Sequence, residues 1–372
     1  MWKRFALLSL FILLFLSACN SKEEKVSTDN KDKDSGNTIT AVDSAGKEFT
    51  VDAPIEKAVV LNRNIAEALT ILGADNHVVA TGDTTLENNP YLHYDDLPDL
   101  GETSEVNIEK IISMDPDVVF TYTNRPDNTL EAQLEPAGIS VIRLDYYLPG
   151  KMNDELRLLG KLFNKEDRAA KFIEWKTGLE TLLKDRVSEI PDKEKKSVMA
   201  LSVGFLNSQG GYRIFPSQTT AGNPGVGEGY ATILAGGKDA ADVKWNSQES
   251  STTVLVDEEY VLKKDPDVLT LHGTWLGGYE TSNNQEFEDV YNNIIDNTSV
   301  SQLTASKTKN IFIYHTDIIG SNKRFIGALQ LAKDLYPKKF QDIKPFDYLE
   351  EYFEKWLGVE YKGTWHYSPK ED

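Results

Sequence analysis

The segment NIEKIISMDPDVVF, residues 107–120, returns later in the chain as DEEYVLKKDPDVLT, residues 257–270. Each copy opens with an Asn or Asp, carries a Glu two residues on, and closes with Asp-Pro-Asp and apolar residues. Asn and Asp are good helix caps, so each copy predicts a short helix followed by a strand. Glu109 and Glu259 lie 150 positions apart, as do the two prolines. The repeat therefore predicts two similar lobes.

Short apolar runs alternate with amphipathic segments on either side of this repeat. The predicted strands are 57–62, 77–82, 116–122, 140–147, 196–204, 267–271 and 309–315. The predicted helices are 65–74, 107–114, 129–138, 152–163, 229–243 with its turn, 258–264, 324–337 and 346–358. Strands that alternate with helices favour parallel sheets covered on both faces.

Residues 164–190 interrupt that alternation. The segment has no proline and one glycine, and its apolar residues, from Phe172 to Ile190, follow a helical stripe. Pro191 ends it. At about 1.5 Å per residue this helix would be about 40 Å long, which is typical of a strut between two lobes.

The amino terminus predicts export. Lys3 and Arg4 precede an apolar run that is too short to span a bilayer comfortably, and LSAC follows at residues 16–19. LSAC resembles a bacterial lipobox, which implies cleavage before Cys19 and lipid attachment to its sulfur. An uncleaved anchor is the alternative. We therefore expect a signal peptide at 1–18, a lipidated disordered tether at 19–37 and a location on the outer face of the cytoplasmic membrane.

Composition excludes several classes of protein. Hydrophobic residues make up 40% of the 372, enough for a packed core. Cys19 is the single cysteine, so no intramolecular disulfide or cysteine zinc site can form. The formal net charge is −19 and becomes −21 when Lys3 and Arg4 leave with the signal peptide. Such an acidic chain is not expected to bind nucleic acid.

The order of these features resembles the helical-backbone class of ABC-transporter solute-binding proteins. The resemblance is carried by AEALTILGA (66–74), the two Asp-Pro-Asp segments, the 164–190 helix and YATILAGG (230–237). It implies an α/β fold in which two Rossmann-like lobes with central sheets, 38–163 and 191–372, are joined by one long backbone α-helix. It also implies a monomer that captures a ferric siderophore, haem or cobalamin between the lobes and delivers it to an ABC permease and its ATPase.

Glu109 and Glu259 match the positions at which, in this class, one surface Glu per lobe docks onto the permease. Two carboxylates on separate rigid lobes can report the distance between the lobes. A simpler explanation also exists, because a Glu in the first turn of a helix is stabilised by roughly 0.3–1 kcal/mol by the helix dipole. The repeated spacing favours docking.

The ligand site is expected at the carboxyl ends of the strands. Arginine can bind a carboxylate, hydroxamate or catecholate through two hydrogen bonds, and aromatic rings supply flat apolar area. The mixture of arginine and aromatic residues predicts a large anionic iron chelate of the siderophore type. Tyr147 and His272 also follow strand ends, next to the candidate residues. The candidate ligand-binding residues are Arg63, Tyr122, Arg125, Tyr146, Tyr212, Arg213, Trp245, Trp275, Tyr314 and His315.

Other functions remain open at this stage. Haem would use Tyr314, His315 or His272 on its iron, cobalamin would need aromatic walls, and a bare Zn²⁺ or Mn²⁺ would need converging His and carboxylates. GNPGVGEGY (222–230) resembles a dinucleotide loop but lacks the later acidic residue that would support one. The family resemblance implies instead that it is a small-residue loop beside the pocket. A secreted enzyme or a surface adhesion module are alternatives of another class. We predict no catalytic residues, no cofactor and no metal site.

Overall fold

The computed structural model describes residues 37–102, 105–204, 211–246, 251–274 and 276–370. The predicted signal peptide, Cys19, almost all of the tether and Trp275 lie outside these ranges. None of the helices within them is both long enough and apolar enough to cross a membrane.

Thirteen strands are formed by the described residues. They are β1 Asn37–Val42, β2 Glu48–Ala53, β3 Ala58–Val60, β4 Val78–Thr81, β5 Val118–Thr121, β6 Ser140–Arg143, β7 Ser197–Ser202, β8 Tyr212–Ile214, β9 Lys238–Asp239, β10 Val254–Val256, β11 Val268–Thr274, β12 Ile311–His315 and β13 His366–Tyr367.

Thirteen α-helices are found in the same part of the chain. They are α1 Arg63–Leu72, α2 Thr85–Asn88, α3 Ile108–Met114, α4 Thr129–Leu134, α5 Met152–Leu162, α6 Glu166–Ser188, α7 Gly227–Leu234, α8 Glu258–Lys264, α9 Gln285–Asn297, α10 Thr304–Lys307, α11 Thr316–Ile319, α12 Arg324–Leu335 and α13 Pro345–Glu351.

Two sheets lie on either side of the long helix α6 in the sequence. The first is fully parallel, in the order β4-β3-β5-β6. The second has a parallel centre of β7, β11 and β12, and its antiparallel partners β8, β10 and β13 lie towards the edges. Parallel neighbours require crossover connections, and helices supply them. The α/β class and the long connecting helix are confirmed.

The two Asp-Pro-Asp segments have the same structural role beside each sheet. The side chains of Asn107 and Asp257 cap α3 and α8 by accepting backbone N–H groups at 2.9 and 2.7 Å. The first Asp of each motif ends its helix in left-handed backbone, with φ of 50° and 38°. The second, Asp117 or Asp267, accepts backbone amides from just before β3 or at the start of β7, at 2.8–2.9 Å. The motif therefore ties each short helix to the neighbouring strand.

The long helix α6 packs into a core shared by both halves of the chain. Phe172, Leu179 and Leu183 are buried, as their spacing predicts. Phe172 meets Trp356 edge-on, with ring centroids 5.1 Å apart. One apolar cluster runs from Phe49 through α6 to Trp365. The two sheets are therefore joined by packed side chains as well as by the helix.

Several elements were not predicted. Residues 37–53 form the antiparallel hairpin β1–β2, in which β2 alternates exposed polar and buried apolar residues. The segment 346–358, predicted as one helix, forms α13 and then a π-helical turn, Tyr352–Leu357. The sequence GTWHY at 363–367 favours packing on the second lobe, and strand β13 in this tail pairs with β12 of the second sheet. The sequence of 282–299, by contrast, predicts an insertion with one short helix, and α9 lies there.

Candidate ligand-binding cleft

A cleft of about 560 Å³ opens where several strands and helices end. Its lining is formed by residues that follow β3, β4, β5, β6 and β12, together with the start of α7 and the turn between α11 and α12. The sequence does not decide whether loop 83–102 lines the ligand site, and in the structure both ends of this loop lie in the cleft wall. The lining residues are Arg63, Asn64, Asp83, Thr84, Glu87, Asn88, Glu102, Tyr122, Arg125, Tyr147, Val226, Gly227, Glu228, Thr252, Thr316, Gly320 and Ser321.

Arg63 is held in place by a carboxylate from the other half of the chain. Asn62 caps α1 by accepting the Asn64 amide at 2.9 Å, which places Arg63 in the first turn. The Arg63 guanidinium then donates to Asp317 at 2.8 Å. Burial disfavours the arginine cation, but Asp317 and nearby tyrosines outweigh it and raise the pKa of Arg63. Burial likewise opposes the Asp317 anion, yet Arg63 and Lys323 hold its pKa well below the usual range.

A second buried ion pair lies next to this one. The Lys323 ammonium lies 2.7 Å from Glu67, and both side chains are almost completely buried. Tyr91 donates its hydroxyl to Glu67 at 2.7 Å and receives a hydrogen bond from Lys323 at 2.9 Å. Tyr91 also lies 3.2 Å from Asp317. The two ion pairs thus form one network between α1 and the segment around α11 and α12.

The opposite wall is built from an acid, a tyrosine and an arginine. Tyr122 donates its hydroxyl to Asp83. Arg125 lies over the Tyr122 ring, 4.0 Å from its centroid, and pairs with Asp83 at 3.5 Å. Tyr147 meets Tyr122 edge-on at 6.1 Å. Burial, followed by the Asp83 charge, raises the pKa of Tyr122, so this wall presents a phenol rather than a phenolate.

Glu228 enters the cleft from the start of α7. Its side chain is 9% exposed and lines the cleft. Apart from its own backbone amide, no hydrogen-bond or ion-pair partner of this carboxylate is found among the described residues. Burial raises its pKa, and the charges of Arg324 and Arg63 only partly oppose that shift.

Glycines make room for Glu228. A Cβ on Gly227 would come within 2.5 Å of the Gly320 carbonyl oxygen, and a Cβ on Gly320 within 2.4 Å of the Glu228 carboxyl carbon. A Cβ on Gly229 would lie 2.3 Å from the Pro216 carbonyl oxygen. The glycines in 222–230 therefore permit close backbone packing, and the loop lies beside the pocket as the sequence predicted.

The charge of the cleft differs from the sequence-based expectation. An anionic ligand was predicted because arginines follow the strands. In the structure Arg63 pairs with Asp317, and Arg125 pairs with Asp83. The lining further includes Glu87, Glu102 and Glu228. Carboxylates outnumber guanidinium groups along the lining, so the cleft does not present free arginines to an anion.

Three predicted ligand residues, Arg63, Tyr122 and Arg125, line the cleft, and five others lie away from it. Tyr146 and Tyr314 are fully buried and His315 nearly so. Tyr314 donates its hydroxyl to Asp334. Tyr146 precedes Tyr147 by one residue, and only Tyr147 reaches the cleft. Tyr212 and Arg213 lie on β8, towards the edge of the second sheet.

Trp245 packs against the cluster of Ala200, Phe215 and Val226, so it supports the cleft from behind. Trp275 lies outside the described residues. Asp83 and Glu228 line the cleft but were not predicted from the sequence. The one sequence signal for Glu228 is an acid at the start of a helix within a glycine-rich loop. Among the described residues, no group of three or more His, Cys, Asp or Glu side chains is placed to hold a metal ion.

The buried histidines predict a loss of stability in mild acid. Burial lowers the pKa of His272 to about 3 and that of His315 to about 4. The unfolded chain binds these protons near pH 6.5, so the free energy of unfolding falls as pH drops from about 6.5 towards 4. The expected slope is roughly 1.4 kcal/mol per pH unit for each histidine.

Urea unfolding from pH 7 to 4.5 measures this slope. His272→Gln is expected to reduce it by about half. His93→Gln changes an exposed histidine and serves as the control. A free energy of unfolding that stays constant over this range would contradict the prediction.

Comparison with known proteins agrees with this architecture. The chain matches the model of the family described as "Periplasmic binding protein" over residues 59–318. The molybdate-binding protein MolA of Haemophilus influenzae is 23% identical, over 86% of this chain and 91% of that protein. The iron-uptake system-binding protein of Bacillus subtilis is 29% identical, over 57% of this chain and 64% of that protein.

A solved structure shares the fold. The TroA-like periplasmic binding protein FepB from Veillonella parvula superposes with a TM-score of 0.69 at 21% sequence identity, covering 89% of this chain and 99% of that one. This likeness confirms the predicted fold class.

Proposed function

The chain belongs to the periplasmic binding protein family, the solute-binding proteins of ABC transporters, and we propose that it captures an iron–siderophore-type chelate in its cleft and delivers it to a permease. The observation that carries the proposal is the cleft itself. It has the volume of a small-molecule site and is lined by hydroxyl, amide, guanidinium and carboxylate groups from both halves of the chain. Such a lining suits a bulky polar chelate better than a single ion.

Known relatives support an iron chelate. Besides the Bacillus subtilis iron-uptake protein, a protein of the same organism named as a probable siderophore-binding lipoprotein is 27% identical over 56% of this chain. That name also supports lipid attachment at Cys19 and anchoring to the outer face of the cytoplasmic membrane, which we include in the proposal. The family consists of substrate-binding proteins, so no catalytic step is assigned.

Molybdate and haem fit the cleft less well. A small oxyanion needs free donors, whereas both arginines are already paired with carboxylates. His272, His315 and Tyr314, the candidate haem ligands, are buried outside the lining. Cobalamin stays as the second candidate of the same class, because Tyr122 and Tyr147 offer it an aromatic wall.

Calorimetric titration of the detergent-solubilised full chain tests the proposal. The ligands are ferric hydroxamate, ferric catecholate, haem, cobalamin and molybdate. We expect one ferric chelate to bind at one site with a Kd of about 1 µM or tighter. Binding of haem, cobalamin or molybdate alone would overturn the choice of ligand, while no binding of any ferric chelate would reject the proposed function.

A further inference from the structure

Glu228 is a buried carboxylate at the cleft that forms no ion pair with a described residue. A carboxylate that is nine-tenths buried normally has a cation or several donors as partners, because an unpaired buried charge is costly. Glu228 has neither among the described residues, yet it faces the cleft. We propose that the cleft selects an iron chelate that carries a positively charged group, and that Glu228 is the anchor for this group. This inference rests on the proposed function.

The neighbouring charges support this assignment. Arg63 could have neutralised Glu228, but it forms its short contact with Asp317 instead. Arg324 is the main positive charge acting on Glu228, but its guanidinium donates to the Tyr147 carbonyl at 2.7 Å and forms no ion pair with Glu228. Burial lowers the pKa of Arg324 to about 10, although the Glu228 charge opposes that shift. Both arginines therefore act on Glu228 through their charge, and neither forms an ion pair with its carboxylate among the described residues.

The packing around Glu228 keeps its carboxylate at the cleft. Gly320 lies against the carboxyl group, and any larger residue there would displace it. Gly227 allows α7 to approach the Gly320 backbone closely. These contacts limit the positions that the side chain can adopt on the Gly320 side. A ligand cation would supply the missing partner.

The rim carries the same sign of charge. Glu87 and Glu102 are exposed and line the mouth of the cleft. Exposed carboxylates at a cleft mouth raise the local concentration of cations and increase their association rate. Asp83 does not add to this effect, since Arg125 and Tyr122 engage it. The rim would therefore attract the charged chelate, and Glu228 would hold it.

A series of probes that differ in one charge tests the inference. Ferrioxamine B is a ferric trihydroxamate with one free ammonium group. Its N-acetyl derivative is neutral and its N-succinyl derivative is anionic, and all three share one iron centre. We expect ferrioxamine B to bind the full chain roughly 10- to 100-fold more tightly than the N-acetyl form, and the N-succinyl form to bind weakest.

Variants separate charge from shape. Glu228→Gln keeps the shape and removes the charge, so it should reduce the preference for ferrioxamine B to within about threefold. The Tm of the ligand-free variant is measured beside the affinities, so that a loss of folding is told apart from a loss of the charge preference. Glu87→Gln should produce a smaller loss of preference. Glu174→Gln, on the exposed side of α6, is the control outside the cleft.

The results that would contradict the inference differ from those that would contradict the proposed function. Equal affinity for the acetylated probe, tighter binding of an anionic chelate, or a preference that persists in Glu228→Gln would overturn the inference. If only neutral or anionic chelates bind, the proposed function stands and the inference fails. If no ferric chelate of any charge binds, the proposed function fails as well.

Discussion

Asp317→Asn is expected to lower the free energy of unfolding by roughly 3–5 kcal/mol, the usual cost of removing one partner of a buried ion pair. Asn has the shape of Asp but no charge, so the substitution leaves the buried Arg63 cation without its carboxylate at 2.8 Å. It also weakens the acceptor of Tyr91 and Asn89, at 3.2 and 3.4 Å. The Tm should fall by roughly 10 °C.

A matched ion pair on the surface provides the control for this experiment. Arg186 and Asp342 are 2.6 Å apart, but both side chains are substantially exposed. Asp342→Asn should therefore change stability far less than Asp317→Asn, because water already solvates both charges. Chemical denaturation of the two variants measures the difference. Similar losses in both would show that burial of the Asp317 pair has no special consequence.

The same substitution probes how the two halves of the chain are joined. Arg63 belongs to α1, before the long helix, and Asp317 belongs to α11, after it. A double-mutant cycle with Arg63→Gln isolates the interaction across this junction. We expect a favourable coupling of roughly 2 kcal/mol or more, near the upper part of the range for contacting residues. Additive effects of the two substitutions would mean that the interaction between Arg63 and Asp317 adds little to the free energy of unfolding.

The double variant Glu109→Lys plus Glu259→Lys is expected to reduce iron-chelate uptake by cells at least about tenfold, while the Kd for the chelate stays within about twofold. Both carboxylates are exposed in the first turns of α3 and α8 and form no ion pair with a described residue. If they dock onto basic permease residues, as we propose, charge reversal replaces attraction by repulsion. Neither residue lines the cleft, so ligand affinity should be preserved.

Glu166→Lys provides the control for charge and helix position. Glu166 is exposed in the first turn of α6, so its reversal loses a comparable helix-dipole interaction of roughly 0.3–1 kcal/mol. Uptake of radiolabelled iron chelate should be normal in this variant and intermediate in each single reversal at Glu109 or Glu259. Normal uptake in the double variant would remove these two residues from the docking proposal.

Local sequence patterns predicted the framework because their physical causes are local. The Asp-Pro-Asp repeat predicted a capped helix and a strand in each half, and the structure adds that Asp117 and Asp267 fasten the neighbouring strands. The apolar stripe of 164–190 predicted the long helix, which spans Glu166–Ser188. Capping and helical periodicity depend on residues a few positions apart, so a single sequence contains them. The hairpin at 37–53 was not predicted, although its second strand, EFTVDA, alternates polar and apolar residues as a half-buried strand does.

The composition of the cleft was decided by the tertiary structure. Strand ends indicated Arg63, Tyr122 and Arg125 correctly as lining residues, since the carboxyl ends of parallel strands meet along one edge. Whether an arginine is free depends on a partner more than 250 positions away, as for Arg63 and Asp317. Whether Tyr146 or Tyr147 faces the cleft depends on the direction of the chain after β6. Glu228 is buried against Gly320, and this contact forms only when α7 packs beside α11. Burial and charge pairing are properties of residues brought together by folding, and for that reason the fold could be predicted from the sequence while the charge of the site could not.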